Sequence, residues 1–142
     1  MVLPDVNVLV YAHREEAARH AEYRGWLESM LDGPNAFGLS DLVLSGFIRV
    51  ATHPRILRPP SPLAHALAFV EALRRPAHRV SISPGPRHWE IFESLVRTVS
   101  PRGNLVADGY LAALAIEAGC EWITTDRDCA RFPGLRWRHP LD

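Results

Sequence analysis

The sequence predicts an α/β fold in which a central parallel sheet is covered by helices on both faces. Two observations carry that reading. Short, largely apolar strand-like segments alternate with helical segments of ten residues or more along the whole chain, the signature of strand–helix–strand units. No repeat, low-complexity tract or linker divides the 142 residues, so they are expected to form one domain, 1–142, around one core.

Each element follows from local chemistry. Val2–Asp5 reads as a short buried strand that runs into Val6–Ala12, apolar enough for either a helix or a continued strand. Glu15–Leu31 is expected to be helical, its apolar residues (Ala17, Ala18, Ala21, Trp26, Leu27, Met30, Leu31) separated by charges. Asp32–Asn35, "DGPN", is a turn, and Ala36–Leu39 a strand. Ser40 is placed to cap a helix over Asp41–Thr52. "HPRILRPPSP" breaks the chain with four prolines before a helix over Leu63–Arg75. A strand is expected at Val80–Ser83 and a helix at Pro86–Val99, with Pro86 in its first turn. After "SPRGN", a helix over Leu105–Ala118 ends at Gly119 and leads into a strand at Glu121–Thr125. Leu135–Trp137 suits an edge strand.

Composition excludes several chemistries. All sixteen cationic residues are arginines and none is lysine, which removes P-loop and Schiff-base mechanisms while leaving a bidentate grip on phosphate available. Formal net charge is zero, so no strongly basic coat is present. Cys120 and Cys129 are too few for a disulfide framework and lack the partners of a zinc site; small buried thiols are the simpler expectation. No apolar run is long enough to span a membrane and the N-terminus carries no basic leader, which leads to an expected cytoplasmic location.

The acids hold the functional information. Asp5 interrupts an apolar run, and a buried carboxylate requires a donor, a cation or water. In a parallel α/β sheet, sites form at the carboxyl edge. Asp5 closes the first strand there, and Asp126 follows the strand Glu121–Thr125 at the same edge, with Asp128 two residues on. Asp108 sits in "NLVADGYLAALAIEAG", where no basic residue shares its helix; that helix should run antiparallel to the following strand, which puts Asp108 about one turn, ~6 Å, from the same edge. Singly, Asp5 could cap the next helix and Asp126 could start a turn. Together, three converging carboxylates must share a proton or bind a cation, and an all-oxygen site suits Mg²⁺ or Mn²⁺.

These residues resemble those of the PIN-domain ribonucleases, particularly the VapC toxins of bacterial toxin–antitoxin pairs. The resemblance spans essentially the whole chain through "LPDVNVLVYA", "LSDLVLSGFIRVATHPRI" and "NLVADGYLAALAIEAGCEWITTDRDCARFPGLRW". It implies a PIN-like α/β/α sandwich and a metal-dependent endoribonuclease that hydrolyses structured RNA, often transfer RNA and sometimes ribosomal, to a 5′-phosphate and a 3′-hydroxyl. By the same resemblance Asp5, Asp108 and Asp126 would bind Mg²⁺ or Mn²⁺, with Asp128 as a supporting catalytic acid. Asn7 would orient a ligand or cap its local turn. A cognate VapB-type antitoxin and a homodimer are implied as partners.

One position departs from the pattern. Gly46 stands where most family members carry a glutamate, and Asp41 and Glu90 are the available substitutes, though a favourable first-turn acid and a surface acid are the simpler readings of each. Arg49, Arg55, Arg58, Arg127 and Arg131 are candidates to hold RNA backbone; solvated faces are the alternative for each. His13, His53 and His88 have no ligand spacing, and the four tryptophans fit the core better than base stacking. The alternative to a nuclease is a catalytically silent PIN-like module that binds RNA or protein without cutting. An aspartate-nucleophile phosphatase is disfavoured because Asn7 replaces its second acid and no lysine is available.

Overall fold

Pro4 and Asp5 set the first boundary. Strand β1 (Val2–Pro4) ends where Asp5, in an extended conformation, accepts the Val6 N–H and caps helix α1 (Val6–His13), which settles the open choice at Val6–Ala12 in favour of helix. A reversal follows, and α2 spans His20–Asp32. The helix expected from Glu15 therefore starts five residues later. Arg14 leaves α1 in an extended conformation and Arg19 takes a left-handed one, because α2 must turn back to pack on α1. Strand β2 (Phe37–Leu39) and helix α3 (Asp41–Ala51) match expectation, the Ser40 hydroxyl accepting the Leu42 N–H. Helix α4 covers Leu63–Arg74 and strand β3 covers Arg79–Ser81, one residue earlier than expected at its start.

Helix α5 (His88–Val99) begins two residues after Pro86, which lies in the preceding turn instead of the first helical turn. The reason is tertiary: the Glu117 carboxylate accepts the N–H groups of Gly85 (2.6 Å) and Arg87 (2.8 Å), fixing the chain just before the helix. Helix α6 (Asn104–Ala118) stops at Gly119, whose φ of 67° is the left-handed conformation that favours glycine. Strand β4 (Glu121–Ile123), a short 3₁₀ turn (Arg127–Arg131) and strand β5 (Trp137–Arg138) complete the 142 residues described by this computed structural model.

The five strands form one all-parallel sheet in the order β3-β2-β1-β4-β5. Right-handed crossovers carry the chain from β1 outward through β2 to β3, so α1–α4 share one face; the return to β4 puts α5 and α6 on the other. The result is the sandwich that the sequence predicts. The direction of strand progression reverses between β1 and β4, and a crevice opens at such a switch point outside the carboxyl ends of the strands.

The core lies on both faces of the sheet, with Leu3, Phe37, Phe47, Leu9 and Ile123 fully buried. In α6, Ala112, Ala113, Leu114 and Ala115 are all buried, the alanines keeping this helix close to its neighbours. Arg14 is buried as well; its guanidinium donates to the Ser61 hydroxyl (3.1 Å) and the Pro59 carbonyl (2.7 Å), which ties the proline-rich segment to the end of α1. Both cysteines are free and buried. Of the tryptophans only Trp122 is fully in the core; Trp26 and Trp137 are half-buried and Trp89 is 64% exposed. No helix is long and apolar enough to cross a membrane.

Candidate active site

At the switch point, β1 delivers Asp5 and β4 delivers Thr124, Thr125 and Asp126, while α6 brings Asp108 across the top. Asp5, Asp108, Thr124, Asp126 and Cys129 line one small cavity there. Its free volume is about 10 Å³, close to the room that one water molecule or ion occupies. The convergence of Asp5, Asp108 and Asp126 expected from their strand and helix positions is thus present in the fold. The local roles are present too. Asp5 caps α1, and Asp126 caps the 3₁₀ turn by accepting the Asp128 N–H at 2.9 Å.

Asp5 is held from three sides. Its Oδ1 accepts the Val6 N–H (2.6 Å), and its Oδ2 accepts the Thr124 hydroxyl (2.7 Å) and the Asn7 amide (3.1 Å). A carboxylate offers about four lone-pair positions, so three donors leave one for another partner. Burial is the largest influence on this group. It pushes the Asp5 carboxyl up to about 6, with the charges of Asp108 and Asp126 adding to the rise and the Thr124 and Val6 donors opposing it. Asp108 differs, because no protein donor stabilises it. Burial, then the charges of Asp126 and Asp128, raise it above the usual carboxylate range. This unpaired acid among like charges creates an electrostatic demand for a cation.

Thr124 is the residue that the sequence reading missed. Fully buried, it donates to Asp5 while its oxygen accepts the Asp126 N–H (3.1 Å) and the Asn7 amide (3.2 Å). Asn7 in turn accepts the Thr125 N–H at 3.2 Å. One hydroxyl and one amide therefore lock the end of β1 to the end of β4. The doubled threonine before Asp126 was the available signal, but only the pairing of β1 with β4 shows what its first hydroxyl faces.

Other candidates stand apart. Asp128 is exposed and does not line the cavity, acting on it only through its charge on Asp108. Asp41 and Glu90 are exposed and line neither the cavity nor the groove beyond it. Gly46 does line that groove, where a Cβ would stand 3.0 Å from Val6 Cγ2; α1 and α3 approach closely at this point, and no acid enters from α3. Burial and the charges of Asp126 and Asp5 push the Cys129 thiol up to about 12, so it rests protonated on the cavity wall. His88 is buried and hydrogen-bonds the Tyr110 carbonyl through Nε2 (2.9 Å).

Beyond the cavity a groove of about 870 Å³ opens between one stripe each of α1, α3 and α6. Asp5, Asp108 and Asp126 lie on its wall, as do Asn7, Asn104 and Ser45; Tyr11, Leu42, Ile56 and Leu57 supply apolar surface. Arg49 is its only cationic residue, while Arg55, Arg58, Arg127 and Arg131 lie outside.

The donor set fits a hard divalent cation: carboxylate oxygens only, one of them unpaired, around a space of ionic size. No three acidic, histidine or cysteine side chains close into a ready-made cage, here or elsewhere in the chain. Unpaired like charges keep apart, and Mg²⁺, which retains several of its waters, suits such an open set.

Comparison with known proteins agrees with this architecture. The family model described as "PIN domain" matches residues 2–135. Ribonuclease VapC43 of Mycobacterium tuberculosis is 46% identical over 142 residues, covering 100% of this chain and 97% of that protein. Ribonuclease VapC25 of the same organism is 40% identical over 140 residues, covering 99% of each. Among solved structures, VapBC-1 from nontypeable Haemophilus influenzae superposes with a TM-score of 0.72 at 16% identity, covering all of both chains. VapC20 of M. tuberculosis, described as a sarcin–ricin loop cleaving toxin, gives 0.62 at 16% identity and covers 96% of this chain and 99% of its own.

Proposed function

The chain belongs to the PIN-domain family, among its VapC ribonucleases, and from that premise we propose that it is an Mg²⁺- or Mn²⁺-dependent endoribonuclease toxin acting on structured RNA. The observation that carries the proposal is the convergence of Asp5, Asp108 and Asp126 on one ion-sized cavity at the sheet's switch point. Those three residues would hold the divalent ion. When bound, the ion supplies charge stabilisation at the phosphate and lowers the pKa of a water for phosphodiester hydrolysis.

The chain's own residues prepare the site. Thr124 and Asn7 fix the Asp5 carboxylate, so its remaining lone pair faces the cavity with little reorganisation. Asp108 presents a carboxylate with no competing protein donor. Asp126 is oriented by its cap of the 3₁₀ turn, and Asp128 adds negative potential from outside. The groove beyond the cavity gives an extended chain a path to these acids.

The substrate class we propose is transfer or ribosomal RNA; the description of VapC20 as a sarcin–ricin loop cleaving toxin supports a structured RNA loop as the target and does not bear on transfer RNA. A VapB-type antitoxin as partner is supported by the description of the H. influenzae structure as VapBC-1; a homodimeric toxin is proposed on the family resemblance alone. The cytoplasm, where such RNA resides, is the proposed location. The relatives at 46% and 40% identity are named as ribonucleases, and for that reason the silent-module reading is not carried forward.

The test is cleavage of total bacterial RNA by purified protein in Mg²⁺, Mn²⁺ or EDTA, beside Asp108→Asn. Discrete fragments that need the metal and vanish in the variant are expected, and mapping their ends names the RNA. Asp108→Asn removes a charge without removing a protein hydrogen bond, so it should fold. Fragments that persist in EDTA or in the variant would refute the assignment of these acids.

A further inference from the structure

We infer that Arg49 grips an RNA backbone phosphate next to the scissile one and sets how the strand lies in the groove; this rests on the ribonuclease reading above. Among the 17 residues that line the groove, three are aspartates and one is a cation, Arg49. A polyanion entering this groove meets repulsion from Asp5, Asp108 and Asp126, and Arg49 is the only lining side chain that offsets it.

Arg49 is also free to act. Arg14, Arg19, Arg24, Arg97 and Arg138 are each engaged with a glutamate, and Arg127 leans toward Asp142 at 3.8 Å. Arg49 has no such carboxylate partner, is exposed, and stands on the last turn of α3 with its donors uncommitted. A guanidinium in that state matches phosphate with two parallel hydrogen bonds.

Position separates the phosphate it holds from the one that is cut. Gly46 lies against Val6, since a Cβ on it would be 3.0 Å from Val6 Cγ2, so Gly46 marks the level of the Asp5–Val6 junction on α3. Arg49 follows three residues later on the same stripe, ~4.5 Å farther along the helix. Arg49 accordingly lines the groove but not the small cavity where the acids meet. The flanking positions Leu42, Val50, Ile56 and Leu57 are apolar and offer no second charge. One phosphate is gripped by charge, and the rest of the strand meets apolar surface and the neutral side chains of Asn7, Ser45 and Asn104.

Two measurements test this. The first is binding of a short fluorescein-labelled single-stranded RNA, in Mg²⁺, to Asp108→Asn and to Asp108→Asn/Arg49→Ala. Loss of one charge-assisted contact should weaken binding about tenfold or more and reduce the slope of log K against log salt by about 0.7. The second is cleavage of the mapped substrate by Arg49→Ala and Arg49→Lys in the otherwise wild-type chain. KM should rise with kcat changed by less than about twofold, and lysine should restore only part of the affinity. Arg75→Ala, exposed at the end of α4 and outside the groove, should match wild type in both.

Unchanged affinity and salt slope would overturn the inference. So would a fall in kcat at constant KM, which would put the guanidinium on the scissile phosphate. Normal RNA binding and cleavage combined with loss of inhibition by the antitoxin would place Arg49 in a protein contact instead, and also overturn it. If the wild-type chain cuts no RNA, the ribonuclease reading fails, while the binding comparison still decides the role of Arg49.

Discussion

Asp5→Asn tests the electrostatics of the site through stability alone. In the metal-free protein the Asp5 carboxyl titrates near 6, against 3.8 for the unshifted group, mainly because burial penalises its charge. Below the lower value the group is neutral whether the chain is folded or not, and it costs nothing. As pH rises through the interval the unfolded chain ionises first, and the native state loses stability until both forms are charged. The gap of about two pH units corresponds to a loss of about 3 kcal/mol in all, of which about 2 kcal/mol falls between pH 4 and pH 7.

Asparagine keeps the shape and the helix cap but does not titrate. It also turns an NH₂ toward the Asn7 and Thr124 donors, and that mismatch adds an offset that does not vary with pH. The informative quantity is therefore the difference in unfolding free energy between variant and wild type, measured by urea denaturation in EDTA from pH 4 to pH 7. It should rise in the variant's favour by about 2 kcal/mol across that range. Adding Mg²⁺ at pH 7 should stabilise wild type more than the variant, because an ion bound only by the native state adds its binding free energy. A difference that stays flat within about 0.5 kcal/mol would mean that the three donors already compensate the buried charge, and the reasoning would be wrong.

Two further substitutions probe the supports of the site. Thr124→Val keeps volume but removes the hydroxyl that serves Asp5, Asp126 and Asn7; a loss of about 1–3 kcal/mol in urea denaturation and a drop in cleavage are expected, with Thr124→Ser recovering most of both. Glu117→Ala should lower the melting temperature at neutral pH, because the carboxylate holds the Gly85 and Arg87 N–H groups before α5. Those bonds keep the Glu117 carboxyl below its usual range, so its stabilisation is present above that range and fades as pH falls through the depressed value, where variant and wild type should converge.

The sequence by itself determined the alternation of elements, and with it the parallel sheet, because buried strands and amphipathic helices differ in apolar period and in their capping residues. Ser40 as a cap and Gly119 as a stop were legible for the same local reason. So was the meeting of Asp5, Asp108 and Asp126, since strand ends and helix starts share one edge in any such sheet. Tertiary structure alone decided the rest. The late start of α2 follows from its reversal onto α1, and the displacement of Pro86 from α5 follows from Glu117, thirty residues away. Thr124 meets Asp5 because β1 pairs with β4, a contact across 119 positions that no local pattern encodes. Arg49 looks like any other arginine until α1, α3 and α6 place their stripes around one groove and leave it there as the only cation. Local chemistry fixes what a residue can do; which partners it meets depends on strand order, and strand order is set by the packing of the whole chain.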